Sequence, residues 1–188
     1  MRQRKPEETR VEILEAAIKV MALKGPLGLT LDAVVEQVPY SKGALLHHFP
    51  NKMALLEGVV DHLGQEFLDQ VMAEAAKDPE PYGRNARAYL MIVINDPVTG
   101  ADVSIGRAAL AACAAEPSLA DRWVSWVRKA RQDDPDDPVG ADDALLLRLM
   151  ADGLWMSDLF GTHEVSPEQR RALACLLMPG RSVMESGL

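Results

Sequence analysis

The chain has 188 residues, 48% of them hydrophobic and 26% charged, and a formal net charge of −8. That is the composition of one globular domain, or of a small module joined to a larger one, and is too apolar for a disordered chain. No window holds the roughly 18 unbroken apolar residues of a membrane helix, and the basic start (Arg2, Arg4, Lys5) runs into Pro6, Glu7 and Glu8, so no signal peptide is expected.

Residues 7–24 place Leu14, Ala17, Ile18 and Met21 on one stripe, the i, i+3, i+4, i+7 spacing of an amphipathic helix. Gly25, Pro26 and Gly28 end it. Thr30 is the cap for a short second helix bearing Leu31, Val34, Val35 and Val38, which Pro39 stops. Ser41 caps a third, running to about His47 or His48 before Pro50. Asn51 opens a long fourth helix to about Lys77, with Leu56, Val59, Val60, Leu63, Phe67 and Val71 along one face.

A loop over 78–83 leads to a helix over about 84–95, then a turn and an alanine-rich helix to about Ala115. Pro117 falls in the first turn of a helix carrying Trp123, Trp126 and Val127. Asp133-Asp-Pro-Asp-Asp-Pro is the clearest loop; a Ca²⁺ site is the alternative there, but the spacing is not that of an EF-hand and proline interrupts it. Residues 142–160 are apolar nearly all round, which predicts cover on both sides. Ser166 and Gln169 fit a capping box, with Pro167 in the first turn of a last helix that carries Leu173, Leu176 and Leu177. Together the two terminal helices predict a subunit interface, a homodimer. The expectation is an all-α fold of about nine helices.

Charge divides unevenly. Residues 1–52 hold eight basic and six acidic groups, a balance of +2, which leaves −10 for 53–188. Such asymmetry fits a nucleic-acid-facing end on an acidic body. The three short helices, about 7–24, 30–38 and 41–48, form a helix-turn-helix candidate in which Ser41 to Ala44 begin the helix presented to a major groove. An ordinary three-helix corner would satisfy the same pattern.

The run Gly25-Pro-Leu-Gly-Leu-Thr-Leu-Asp-Ala-Val-Val-Glu-Gln, followed by Ser41-Lys-Gly-Ala-Leu-Leu-His-His-Phe-Pro-Asn-Lys-Met-Ala-Leu-Leu, resembles the tetracycline-repressor (TetR) family over about residues 10–60. Asp152-Gly-Leu-Trp also looks like C-terminal domains of that family. The resemblance implies a dimeric, all-helical transcription regulator, with a helix-turn-helix DNA-binding domain over 1–52 and a helical effector-binding and dimerisation domain over 53–188. By the same resemblance Thr30 contacts phosphate and Ser41, Lys42, Gly43 and Ala44 face bases. His47 and His48 lie at the end of the recognition helix, Lys52 meets a phosphate, and Leu45 and Phe49 pack internally. Two positions depart from the pattern. Leu46 stands where the family usually has a phosphate-binding tyrosine, and Pro39 where it has glycine, with Tyr40 following as a substitute hydroxyl.

The four histidines show no metal-ligand spacing, and no P-loop, nucleophile elbow or dinucleotide fingerprint occurs, so neither enzyme activity nor a metal or cofactor is expected. Phe67, Tyr89, Trp123, Trp126, Met150, Trp155 and Met156 could line a cavity for an apolar or planar ligand, or simply form core. Arg107 and Asp158 are possible charged handles. Cys113 and Cys175 lie in Ala/Leu-rich helical patterns with no C-x-x-C, which predicts a cytoplasmic protein with two buried thiols. The leading reading is a ligand-responsive regulator, a repressor released from its operator by a small effector. A DNA-binding dimer without effector coupling, and a helical small-molecule-binding protein or enzyme without DNA binding, are the alternatives.

Overall fold

The computed structural model describes residues 6–132, 134 and 138–178. Among these the regular structure is helical: α1 (Pro6–Gly28), α2 (Leu31–Val35), α3 (Lys42–His48), α4 (Lys52–Ala75), α5 (Arg84–Asn95), α6 (Gly100–Ala115), α7 (Pro117–Lys129), α8 (Pro138–Phe160) and α9 (Pro167–Leu177). The all-α expectation and its helix order hold.

The boundaries follow local chemistry. α1 breaks at Gly25, whose φ of 71° only glycine adopts readily, and a turn through Pro26 follows. Thr30 accepts the Ala33 N–H at 3.1 Å, Ser41 that of Ala44 at 3.2 Å, and Asn51 that of Ala54 at 2.8 Å, so each expected cap forms. α2 is shorter than its apolar spacing predicted: it stops at Val35, and Gln37 and Val38 instead bond back in tight turns ahead of Pro39. α8 starts at Pro138, earlier than the expected 142, because proline suits a first helical turn. Residues 133 and 135–137 of the acid run lie outside the described residues; Asp134 bonds Arg148 and Arg131. The basic start, Arg2 to Lys5, is likewise outside them.

The chain packs as two units, Met1–Glu66 with Gly100–Trp126 and Phe67–Thr99 with Val127–Leu188. In the first, Ile13, Leu14, Ala17 and Met21 of α1 meet Val34 of α2, Leu45 of α3, Leu55 and Val59 of α4 and Leu119 of α7. The small Ala108 and Ala112 let α6 lie against α1. Each fully buried leucine contributes roughly 1.5–3 kcal/mol. Trp126 lies flat on the backbone of α4, so that a Cβ at Gly64 would meet its ring at 2.4 Å. Its indole N–H donates to Asp61 at 3.1 Å, and Arg122 bonds Asp61 at 2.8 Å and Glu57 at 3.2 Å.

The second unit is built on α5, with Leu90, Val93 and Ile94 against Ala144, Leu147, Ala151 and Leu154 of α8 and Ala174 of α9. Arg170 is buried here. It bonds Asp158 and donates to the Val93 carbonyl at 3.1 Å, so Asp158 is a structural partner of α9. Only one face of α8 is covered in the single chain: Leu145, Leu146, Leu149, Met156 and Phe160 are exposed. The two thiols also differ from expectation, since Cys113 is half-buried and Cys175 is exposed.

Candidate nucleic-acid interface and effector region

The recognition helix is short and fixed from behind. Leu45 and Phe49 are buried at 0% and 3% exposure. Phe49 rests on α4 at Gly58, where a Cβ would meet its ring at 2.7 Å. The Arg10 guanidinium covers the same ring at 5.4 Å, a cation–π contact. With its inner side locked, α3 turns Ser41, Lys42, Gly43 and His47 outward, while Ala44 and His48 are half-buried. Of the residues expected to face bases, Ser41, Lys42 and Gly43 are therefore exposed together and Ala44 only in part.

The hydroxyls of Thr30 and Ser41 accept from backbone at their caps, which leaves each O–H able to donate to a phosphate oxygen. Lys52 donates to the Leu27 carbonyl at 3.2 Å, and Lys42 lies 2.6 Å from Asp32. His47 and His48 make an edge-to-face pair with centroids 5.5 Å apart. Leu46 is 38% exposed. Tyr40 turns its hydroxyl to the Glu12 carboxylate on α1, tying the turn before α3 to the first helix.

The aromatic and methionine residues expected to bind a ligand are divided between the two units. Trp123 and Trp126 belong to the first unit. In the second, Phe67 and Tyr89 form an edge-to-face pair at 5.1 Å, Met150 and Trp155 pack beside the α5–α8 core, and Met156 faces outward. Tyr89 donates to Asp152 at 2.7 Å. Burial, and then the Asp152 charge, push its phenol well above the ordinary 10.0. Asp152 was missed as a partner of Tyr89, from which it is separated by 63 positions in the chain. An open groove of about 440 Å³ is lined instead by His163, Glu164, Val165, Gln169, Ala172, Leu173 and Leu176. Beside it Ser166 donates to Glu168 and holds that carboxyl below its usual range.

Comparison with known proteins gives two family matches. Residues 13–59 match the model described as bacterial regulatory proteins, tetR family, and residues 83–178 the tetracyclin repressor-like C-terminal domain. The chain is 31% identical over 96 residues to the HTH-type transcriptional regulator TtgR of Pseudomonas putida, covering 50% of this chain and 45% of that regulator. It thus spans about half the length of that relative. It is similar in fold to the multidrug binding protein EbrR complexed with malachite green, with TM-score 0.68, 24% identity, and 92% and 99% of the two chains covered. A regulator from Saccharomonospora viridis in complex with choline superposes with TM-score 0.70 at 18% identity, covering 93% and 97%. No helix among the described residues is long and apolar enough to cross a membrane.

Proposed function

The chain belongs to the tetracycline-repressor family, and on that premise we propose that it is a ligand-responsive DNA-binding regulator, a repressor released from its operator by a small effector. The observation that carries the reading is α3: a capped helix, locked from behind by Leu45 and Phe49, with Ser41, Lys42, Gly43 and His47 outward. The net charge of +2 over residues 1–52 favours this end over the acidic body as the face that approaches the duplex. DNA binding is assigned to residues 1–52, and effector binding and dimerisation to 53–188.

The effector is read as a small organic molecule, apolar or planar. The complex of malachite green with EbrR supports a planar ligand, and that of choline with the Saccharomonospora viridis regulator supports only a small organic one. Within the second unit the Phe67–Tyr89 pair, whose Tyr89 also packs on the core that Met150 and Trp155 border, is the aromatic group best suited to it. The exposed apolar faces of α8 and α9 support a two-fold dimer, whose partner is a second copy of this chain. The reading assigns the protein no catalytic step, and places it in the cytoplasm with its DNA. Fluorescence anisotropy with a randomised pool of labelled duplexes tests it. Capture of a defined sequence, reversed by an effector, is expected; capture of no duplex would sink the reading.

A further inference from the structure

Lys42 and Asp32 pair on the surface proposed to read DNA. The lysine opens the recognition helix, and its ammonium lies 2.6 Å from a carboxylate in the first turn of α2. Both side chains are more than half exposed, at 54% and 70%. An exposed pair of this kind contributes little to stability. Its consequence falls on what Lys42 can do at a duplex.

We propose that Asp32 is a specificity-determining residue: it competes with DNA phosphates for Lys42 and so reserves that lysine for neutral acceptors on base edges. An ammonium has three donors. It can keep Asp32 and still donate to a guanine O6 or N7, which carries no net charge to repel the carboxylate. Moving to a phosphate is different. It sets Asp32 against a second anion, and a lysine already neutralised by a carboxylate displaces fewer counterions from the backbone. Sequence-independent attraction is therefore damped at this position, while base contact is spared. The arrangement complements Lys52, whose partner among the described residues is a neutral carbonyl, that of Leu27.

The inference rests on the DNA-binding reading above, and its test separates the two. Anisotropy is measured over a salt series for the intact chain, Asp32→Asn, Asp32→Glu, Lys42→Ala and the Asp32→Asn/Lys42→Ala double variant. The probes are a random-sequence duplex and a duplex that the unaltered chain selects from a randomised pool. Asp32→Asn should bind the random duplex roughly two- to fivefold more tightly per subunit. Its salt slope should steepen by about 0.9 per subunit, with a smaller gain on the selected duplex. Asp32→Glu should keep the parental slope, and Asp32→Asn should have no effect on the slope once Lys42 is alanine. An equal gain in the Lys42→Ala background would show only the removal of a nearby negative charge and would overturn the proposal. So would a loss of both duplexes by Asp32→Asn with unchanged thermal unfolding, which would make Asp32 a support for Lys42 rather than a competitor. A parental chain that binds no duplex would instead refute the DNA-binding reading on which this one stands.

Discussion

At the scale of single residues, Lys42 and Lys52 of the helix-turn-helix module are each held by one of its own oxygen atoms. Lys52 illustrates this. Its ammonium closes the end of α1 at the Leu27 carbonyl, within reach of solvent on the module's surface. Lys52→Ala is expected to weaken binding about equally for all duplexes and to flatten the salt slope by about 0.9 per subunit. A changed sequence preference with an unchanged slope would show that Lys52 meets no phosphate. Tyr89 gives a second residue-scale expectation. Its phenol is raised above 10.0, first by burial and then by Asp152, so it stays protonated in the folded state where the unfolded chain ionises. Stability linked to Tyr89 is thus fully present below pH 10.0 and falls as pH rises beyond it. Denaturant titrations should show that alkaline slope in the parental chain and a shallower one in Tyr89→Phe. The caps Thr30, Ser41, Asn51 and Ser166 were all legible in sequence, because a capping side chain needs only neighbours two or three residues away. The Gly64–Trp126 and Tyr89–Asp152 contacts were not, since each joins residues more than sixty positions apart.

At the scale of elements, the helix order could be read from apolar spacing because each stripe is local, and the recovered span of α5 and the capping box of α9 show how far that goes. Which stripe meets which could not. The all-round apolar character of residues 142–160 is two faces with two fates: Ala144, Leu147, Ala151 and Leu154 meet α5, while Leu145, Leu149, Met156 and Phe160 remain outside. The aromatic and methionine residues were grouped by composition, and composition has no geometry, which is why Trp123 and Trp126 fall in a different unit from Tyr89 and Trp155. Arg170 shows what holds α9. It reaches Asp158 on α8 and the carbonyls of Val93 at 3.1 Å and Val165 at 3.4 Å, from a side chain only 4% exposed. Arg170→Ala leaves a buried carboxylate without its cation and should cost about 3–5 kcal/mol. The double replacement Arg170→Met with Asp158→Leu removes both charges and should recover much of that loss. Equal melting temperatures for the parental chain and Arg170→Ala would show that the pair holds nothing.

At the scale of the whole molecule, the outer face of α8 and the exposed Leu176 of α9 are an apolar surface on an otherwise acidic chain. A second copy placed on it two-fold would bury on the order of 1,500 Å², and a carboxylate at its centre would be left without a partner. Leu149→Asp is therefore expected to give a monomer by sedimentation at micromolar concentration. It should also weaken DNA binding sharply, since one recognition helix reads only half a two-fold site. Gly153 is open, with nothing within 4 Å of a Cβ, so Gly153→Trp should disturb the dimer without disturbing the chain that carries it. The regulatory step then follows from linkage. On the proposed reading, an effector near Phe67 acts through α4, which spans Lys52–Ala75. To turn a mostly bound population into a mostly free one, the effector must prefer the DNA-incompetent state by about 5 kcal/mol, shared over two subunits. Each subunit then supplies half, a bias that a modest change of apolar contact at Phe67 and Tyr89 can provide, since roughly 100 Å² of apolar surface is equivalent to that amount. Reciprocity fixes the test: DNA must weaken effector binding by the factor by which effector weakens DNA binding. Titrating an effector, identified by its release of the selected duplex, against tryptophan fluorescence with and without that duplex should give two affinities that differ by that factor. Saturable binding with identical affinities in both titrations would leave a DNA-binding dimer whose second unit serves assembly alone.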